Sequence, residues 1–137
     1  MVELLVGDAG ALCGLIDDIE QEEKLMKLIS CIIRPEKLDA VTSALDKQHI
    51  VGMTVTDVRG FGRQKGQVAH YRGEEYTTRF IPKVRVDIVV PSENVNTVVS
   101  TIRDVTRTGN IGDGKIFILD VENALRIRTG EQGTSAL

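Results

Sequence analysis

The sequence predicts an α+β fold built from two β-α-β halves within one domain, and three observations carry that expectation. The run "KVRVDIVV", Lys83 to Val90, alternates with the period of two that marks a strand with one buried face. Two apolar stripes have helical spacing instead: Leu38, Val41 and Leu45, and then Val95, Val98, Val99, Ile102 and Val105. At 137 residues, of which 42% are apolar, the chain can fill one core. With only 4% aromatic residues, branched aliphatics must do most of the packing.

The elements follow in order. "KLISCII", Lys27 to Ile33, is short, β-rich and stopped by Arg34-Pro35, which reads as a strand. Pro35 suits the first turn of a helix that runs on to about Gln48. "GMTVTDVR", Gly52 to Arg59, is β-branched and alternates through Met53, Val55 and Asp57, which predicts a second strand. Gly60 to Phe80 shows neither period and reads as one long loop, a rarity inside compact domains and usually functional. The strand at Lys83 to Val90 comes next. Ser92 to Arg107 is rich in valine and threonine, yet its spacing is helical, with Ser92 placed to cap the start. "GNIGDG" then turns the chain into a last strand, "KIFIL", Lys115 to Leu119. This is the ferredoxin-like βαββαβ order, with the long loop between strands 2 and 3.

Residues 1–25 stand apart as an acidic N-terminal extension. They hold seven acids and one lysine, a net −6, against −3 for the whole chain, so residues 26–137 carry +3. Their weak periodicity and concentrated charge predict a mobile segment that ligand binding does not need. The domain proper is expected to span 26–137. No run approaches the ~18 uncharged apolar residues of a membrane span, and the start lacks the basic region and cleavage site of a signal peptide. A cytoplasmic protein with no direct membrane insertion is expected. Cys13 and Cys31 form no CxxC or metal-ligand pattern and read as small hydrophobes.

Chemistry concentrates in two glycine-rich stretches. In "TRTGNIGDGKIF", Thr106 to Phe117, three glycines within six residues allow backbone N–H groups to converge on an anion, and Lys115 adds a point charge. A glycine-rich turn with a solvated lysine is the competing reading. No Walker A loop is present, because Ile116, not Ser or Thr, follows the lysine and a strand begins there. In "RIRTG", Arg126 and Arg128 fall on one side if the segment is extended, a fork suited to phosphate. The long loop adds Arg63, Gln64, Lys65, Arg72 and Arg79. His49 and His70 have no evident carboxylate or nucleophile partner, so no catalytic constellation is expected.

"GMTVTDVRGFGRQKG", "YRGEEY", "PKVRVDIVVP", "TGNIGDGKIF" and "RIRTGEQG", in this order and spacing, resemble the PII nitrogen-regulatory signal-transduction proteins across residues 26–137. The resemblance implies a homotrimer that binds ATP or ADP in clefts between subunits, with Mg²⁺ and 2-oxoglutarate as further effectors. It implies that Gly112, Asp113, Gly114 and Lys115 form the phosphate loop, that Arg126 and Arg128 reach the phosphates from the neighbouring subunit, and that Arg63 joins them. It places Gly52 and Thr54 near the adenine and ribose, assigns Gln64 to Mg²⁺ and 2-oxoglutarate, and pairs Lys83 with a 2-oxoglutarate carboxylate. Tyr76 matches a residue that relatives have uridylylated or adenylylated. An ammonium-channel protein, a glutamine-synthetase modifying enzyme or a nitrogen sensor kinase is the implied kind of partner.

This sequence departs from the resemblance at Glu74, where relatives commonly carry Ala or Ser. Glu74 excludes serine phosphorylation at that position and sets a permanent negative charge two residues before Tyr76. The alternative closest in kind is an adenylate-only sensor, or a regulator of a transporter or metabolic enzyme, without a 2-oxoglutarate response. An RNA-binding use of the same fold lacks the strand aromatics on which bases stack, since Phe61, Phe80 and Phe117 are the only phenylalanines. A small nucleotide-using enzyme lacks a nucleophile and base.

Overall fold

The computed structural model describes residues 25–50, 52–61, 68–71, 74–77 and 80–137, with 68–71 and 74–77 described by their backbone. Its main sheet contains β1 (Met26–Ile33), β2 (Met53–Gly60), β5 (Ile81–Pro91) and β6 (Lys115–Asp120). The strand order is β2-β5-β1-β6, and every neighbouring pair is antiparallel. Helices α1 (Leu38–Asp46) and α2 (Val95–Thr106) connect the strands of each half. The ferredoxin-like βαββαβ expectation therefore holds.

The period-two pattern of β5 does what alternation dictates. Val84, Val86, Ile88 and Val90 are all buried, and the strand register pairs Ile88 with Ile29 and Val86 with Cys31. That face meets the helices through Val41, Leu45, Val98 and Ile102, each with no exposed surface. Truncating one such side chain, for example Leu45→Ala, costs about 2–5 kcal/mol. Burial pushes the Cys31 thiol up to about 11, in keeping with its reading as a small hydrophobe; Cys13 lies outside the described residues.

The helix starts are tighter than the sequence suggests. Pro35–Lys37 and Ser92–Asn94 are 3-10 turns that lead into α1 and α2. Ser92 thus opens a turn rather than capping the helix. Asn94 holds the N-cap position, and its side chain makes no capping hydrogen bond.

The long loop differs more. Val68–Tyr71 (β3) and Glu74–Thr77 (β4) pair as an antiparallel hairpin, with Ala69 opposite Tyr76 and Tyr71 opposite Glu74. Arms of four residues are too short to show a period in a 21-residue window. The signal that does reveal them is two short β-rich runs separated by two residues, the second a glycine.

Candidate functional site

One end of the four sheet strands and the α2–β6 connection line a cleft of about 640 Å³, within the range of small-molecule sites, roughly 300–1,000 Å³. Phe61, Ile81 and Phe117 give it apolar walls, while Lys83, Lys115, Gly112 and Gly114 give it charge and bare backbone. Lys83 comes from β5, Lys115 from the first position of β6, and the glycines from the segment between α2 and β6.

Gly112 and Gly114 adopt φ of 102° and 104°, and Gly109 adopts 87°. These left-handed conformations suit glycine and let the backbone fold tightly. At Gly114 there is also no room: a Cβ would sit 1.7 Å from the Ile32 carbonyl oxygen. The loop's shape is thereby locked to β1.

Lys83 is nearly buried, at 8% exposure, and its Nζ donates to the Gly112 carbonyl oxygen at 2.7 Å. Burial, and then the positive charge of Arg34, hold its ammonium below the usual lysine pKa. A buried cation at the wall of a cleft favours an anionic ligand, which would offset both effects.

Asp113 is not among the residues that line the cleft. Its carboxylate accepts from the Thr108 and Gly109 N–H groups at 2.9 Å each, from the Thr108 hydroxyl and from the Arg34 guanidinium. Those donors, the Thr108 hydroxyl first, hold it well below the usual carboxylate range. Within the α2–β6 connection it is a brace.

Of the residues that the sequence singled out, Lys83, Gly112, Gly114 and Lys115 come together in the cleft. Gly52 precedes β2, and Thr54 lies opposite Asp87 on that strand, outside the cleft lining. The side chain of Asp87 accepts from the Ser30 hydroxyl at 2.6 Å and pairs with Arg85 at 3.2 Å. Arg63 and Gln64 lie outside the described residues. Tyr76 sits on β4, of which the backbone is described.

"RIRTG" is a correction. Residues 127–129 form a turn, closed by the Gly130 N–H donating to the Arg126 carbonyl oxygen at 2.8 Å. The segment is not extended, so period two does not place Arg126 and Arg128 on one side. Arg126 instead binds Glu131 at 3.1 Å and the Leu137 carbonyl oxygen at 3.0 Å. Neither arginine lines the cleft of its own chain.

Two features escaped the sequence reading. Arg34, in the β1–α1 connection, reaches Asp113, the Thr108 hydroxyl at 3.3 Å and the Ile111 carbonyl oxygen at 2.9 Å. The residue before a proline is held extended, here at φ −66° and ψ 140°, which directs it out of the turn; that was the available signal. Phe61 and Phe80 meet across the foot of the long loop as a tilted pair, with ring centroids 5.6 Å apart and planes inclined by 46°. Among the described residues, no group of three or more His, Cys, Asp or Glu could hold a metal.

A ferredoxin-like domain with a charged, glycine-lined cleft where β2 ends and β5 begins defines a class of α+β proteins with a cleft of small-molecule size. Within that class the family is specific: the family model "Nitrogen regulatory protein P-II" matches residues 26–131, and the chain belongs to this P-II family. It is 58% identical to the nitrogen regulatory protein P-II of Nostoc punctiforme over 112 residues, covering 82% of this chain and all of that protein. It is 55% identical, with the same coverage, to the nitrogen regulatory protein P-II 1 of Escherichia coli. A crystal structure of Arabidopsis thaliana PII bound to citrate superposes with a TM-score of 0.68 and 42% identity, covering 82% of this chain and 92% of that one.

Proposed function

We propose that this protein is a non-enzymatic regulator of nitrogen metabolism that binds ATP or ADP, Mg²⁺ and 2-oxoglutarate and acts on target proteins through the Gly60–Phe80 loop. The observation that carries this reading is the convergence of Lys83, Lys115 and the Gly112–Gly114 backbone on one cleft whose wall includes Gly60 and Phe61, where the loop begins. Backbone and two cations suit phosphate oxygens. The Arabidopsis relative is bound to citrate, a polycarboxylate, and a cleft with two lysines suits that ligand class.

Phosphate groups and a dicarboxylate in one site need a divalent cation between them, and Gln64 is the residue assigned to hold it. With Gln64 and Lys83 on either side of the loop, a ligand that engages both ends reorganises what lies between. A near-complete switch requires the ligand states to differ by roughly 5.5 kcal/mol in their preference for the partner-competent loop. Tyr76, carried on β4, is the candidate for nucleotidylylation, with Glu74 altering what a modifying enzyme meets.

The assembly is a homotrimer in this reading. Phe117, Ile118 and Leu119 on the edge strand β6 are each about half exposed, at 49%, 50% and 48%, and Ile127 is 94% exposed. Such apolar surface favours burial against another subunit. Arg126 and Arg128, remote from the cleft of their own chain, would serve a neighbour's. Residues 1–25 are dispensable in this reading, so a chain beginning at Met26 should trimerise and bind ATP like the full chain. An ammonium-channel protein, a glutamine-synthetase modifying enzyme or a nitrogen sensor kinase is the kind of target.

Sedimentation with parallel ATP and ADP titration tests this reading. It predicts a trimeric mass and mutually exclusive binding of the two nucleotides. A stable monomer that binds neither would overturn it.

A further inference from the structure

The loop between α2 and β6 has three glycines at positive φ, and glycine-rich backbone has many conformations to lose. Something must hold it in the shape that lines the cleft. From the inner side, Lys83 holds the Gly112 carbonyl. From the outer side, a single guanidinium holds Asp113, Thr108 and Ile111.

We infer that Arg34 is a positioning residue for anion binding: without lining the cleft, it fixes residues 108–113 so that Gly112, Gly114 and Lys115 face the ligand. This rests on the anion-binding reading given above.

The geometry supports a relay. Nη1 of Arg34 bonds the Asp113 carboxylate, which in turn accepts the Thr108 and Gly109 N–H groups, while Nη2 bonds the Ile111 carbonyl oxygen. Four loop positions are thus tied to one side chain, itself only 14% exposed. A planar fork can satisfy acceptors in two directions at once, which a lysine ammonium on a flexible stem does less well. Glu36, 4.0 Å from Nε, lies at the limit of an ion pair and is the other carboxylate near the guanidinium. Gly114 is jammed against the Ile32 carbonyl, two residues before Arg34. The same stretch of chain therefore sets both ends of the loop's second half.

The test uses the full chain, with Arg34→Met, Arg34→Lys, Asp113→Asn and the Arg34→Met/Asp113→Asn double variant. Two readouts are taken well below the unfolding midpoint: amide hydrogen exchange at residues 108–114 without ligand, and ATP affinity by calorimetry. Arg34→Met should speed exchange across the loop and weaken ATP about tenfold, the scale of one lost charged hydrogen bond. Asp113→Asn should do much the same, and the double variant little more than the worse single, because the two act as one unit. Arg34→Lys should recover part of both.

A residue that only stabilises the fold would lower the midpoint and leave affinity and loop exchange unchanged, which would overturn the inference. Full recovery by Arg34→Lys would also overturn it, by assigning the effect to charge alone. If Arg34→Met does not fold, Asp113→Asn carries the same expectations. If the parent chain binds no ATP, the proposed function falls, while loop exchange in the ligand-free variants still decides the role of Arg34.

Discussion

Lys83 donates its ammonium to the Gly112 carbonyl oxygen at 2.7 Å, so the strand that leaves the long loop is tied directly to the glycine loop before β6. A ligand anion that engages Lys83 therefore also bears on the glycine loop through that bond. The start of β5 and the glycine loop are therefore joined directly.

Lys83 should titrate below the ordinary lysine value of about 10.4, because burial and then Arg34 disfavour its charge. The folded value is the lower one, so this group opposes folding where it is protonated in both states. That opposition fades as pH rises from the folded value toward the unfolded one. Nitrogen-detected NMR of the lysine side chains checks this; a Lys83 midpoint at or above the ordinary value contradicts it.

Gly114→Ala should be among the most damaging single changes. Its Cβ would meet the Ile32 carbonyl oxygen at 1.7 Å with φ at +104°, and backbone cannot yield as a side chain can. We expect roughly 3 kcal/mol or more of lost stability, together with weakened ATP binding. Gly130→Ala, at φ +76° with nothing within 4 Å, should cost only about 1 kcal/mol. Equilibrium denaturation of both variants measures the contrast, and equal losses would contradict it.

His49→Gly should stabilise the protein. His49 follows α1 at φ 63°, where the Ile50 N–H closes back on the Leu45 carbonyl at 3.0 Å, the left-handed helix ending that glycine fills without strain. A gain of about 0.5–1 kcal/mol is expected from relieving the side chain's steric cost. Thermal unfolding reads it out; a lowered midpoint would show that the His49 side chain contributes more than its strain costs.

Asp113 should stay ionised well into acid. Its folded pKa lies below the unfolded value of about 3.9, lowered first by the Thr108 hydroxyl and then by Arg34. The stability that it contributes is complete above the unfolded value and disappears as pH falls through the folded one. Carbon-detected NMR of its carboxyl group should show a midpoint below the ordinary value of about 3.9; a midpoint at or above that value means that the brace is absent in solution.

Local rules made the core readable in advance. Val84, Val86, Ile88 and Val90 had to share a face, and Val98 and Ile102 had to join Val41 and Leu45, because a period of two and a period of 3.6 leave no other sorting of apolar side chains. The cleft was readable in part: Lys115 and the glycines announce themselves by composition. Lys83 could be assigned a ligand only through resemblance, since alternation alone puts it on the open face with Arg85 and Asp87. Arg34 went unseen because its partners, Thr108, Ile111 and Asp113, are more than 70 residues away. Such a contact is created by tertiary folding; the proline after Arg34 signals an extended backbone there but not the partners that the side chain reaches. "RIRTG" misled for the reverse reason: a period-two argument presumes an extended chain, and this one turns.

The central claim is that one cleft couples nucleotide to 2-oxoglutarate. Calorimetric titration of 2-oxoglutarate into the full chain, alone, with ADP, and with ATP and Mg²⁺, tests it most directly. Binding in the presence of Mg-ATP, with little or none in the other two mixtures, is the predicted result. Equal 2-oxoglutarate binding in all three would contradict the coupling, and none in any would reduce the protein to an adenylate sensor.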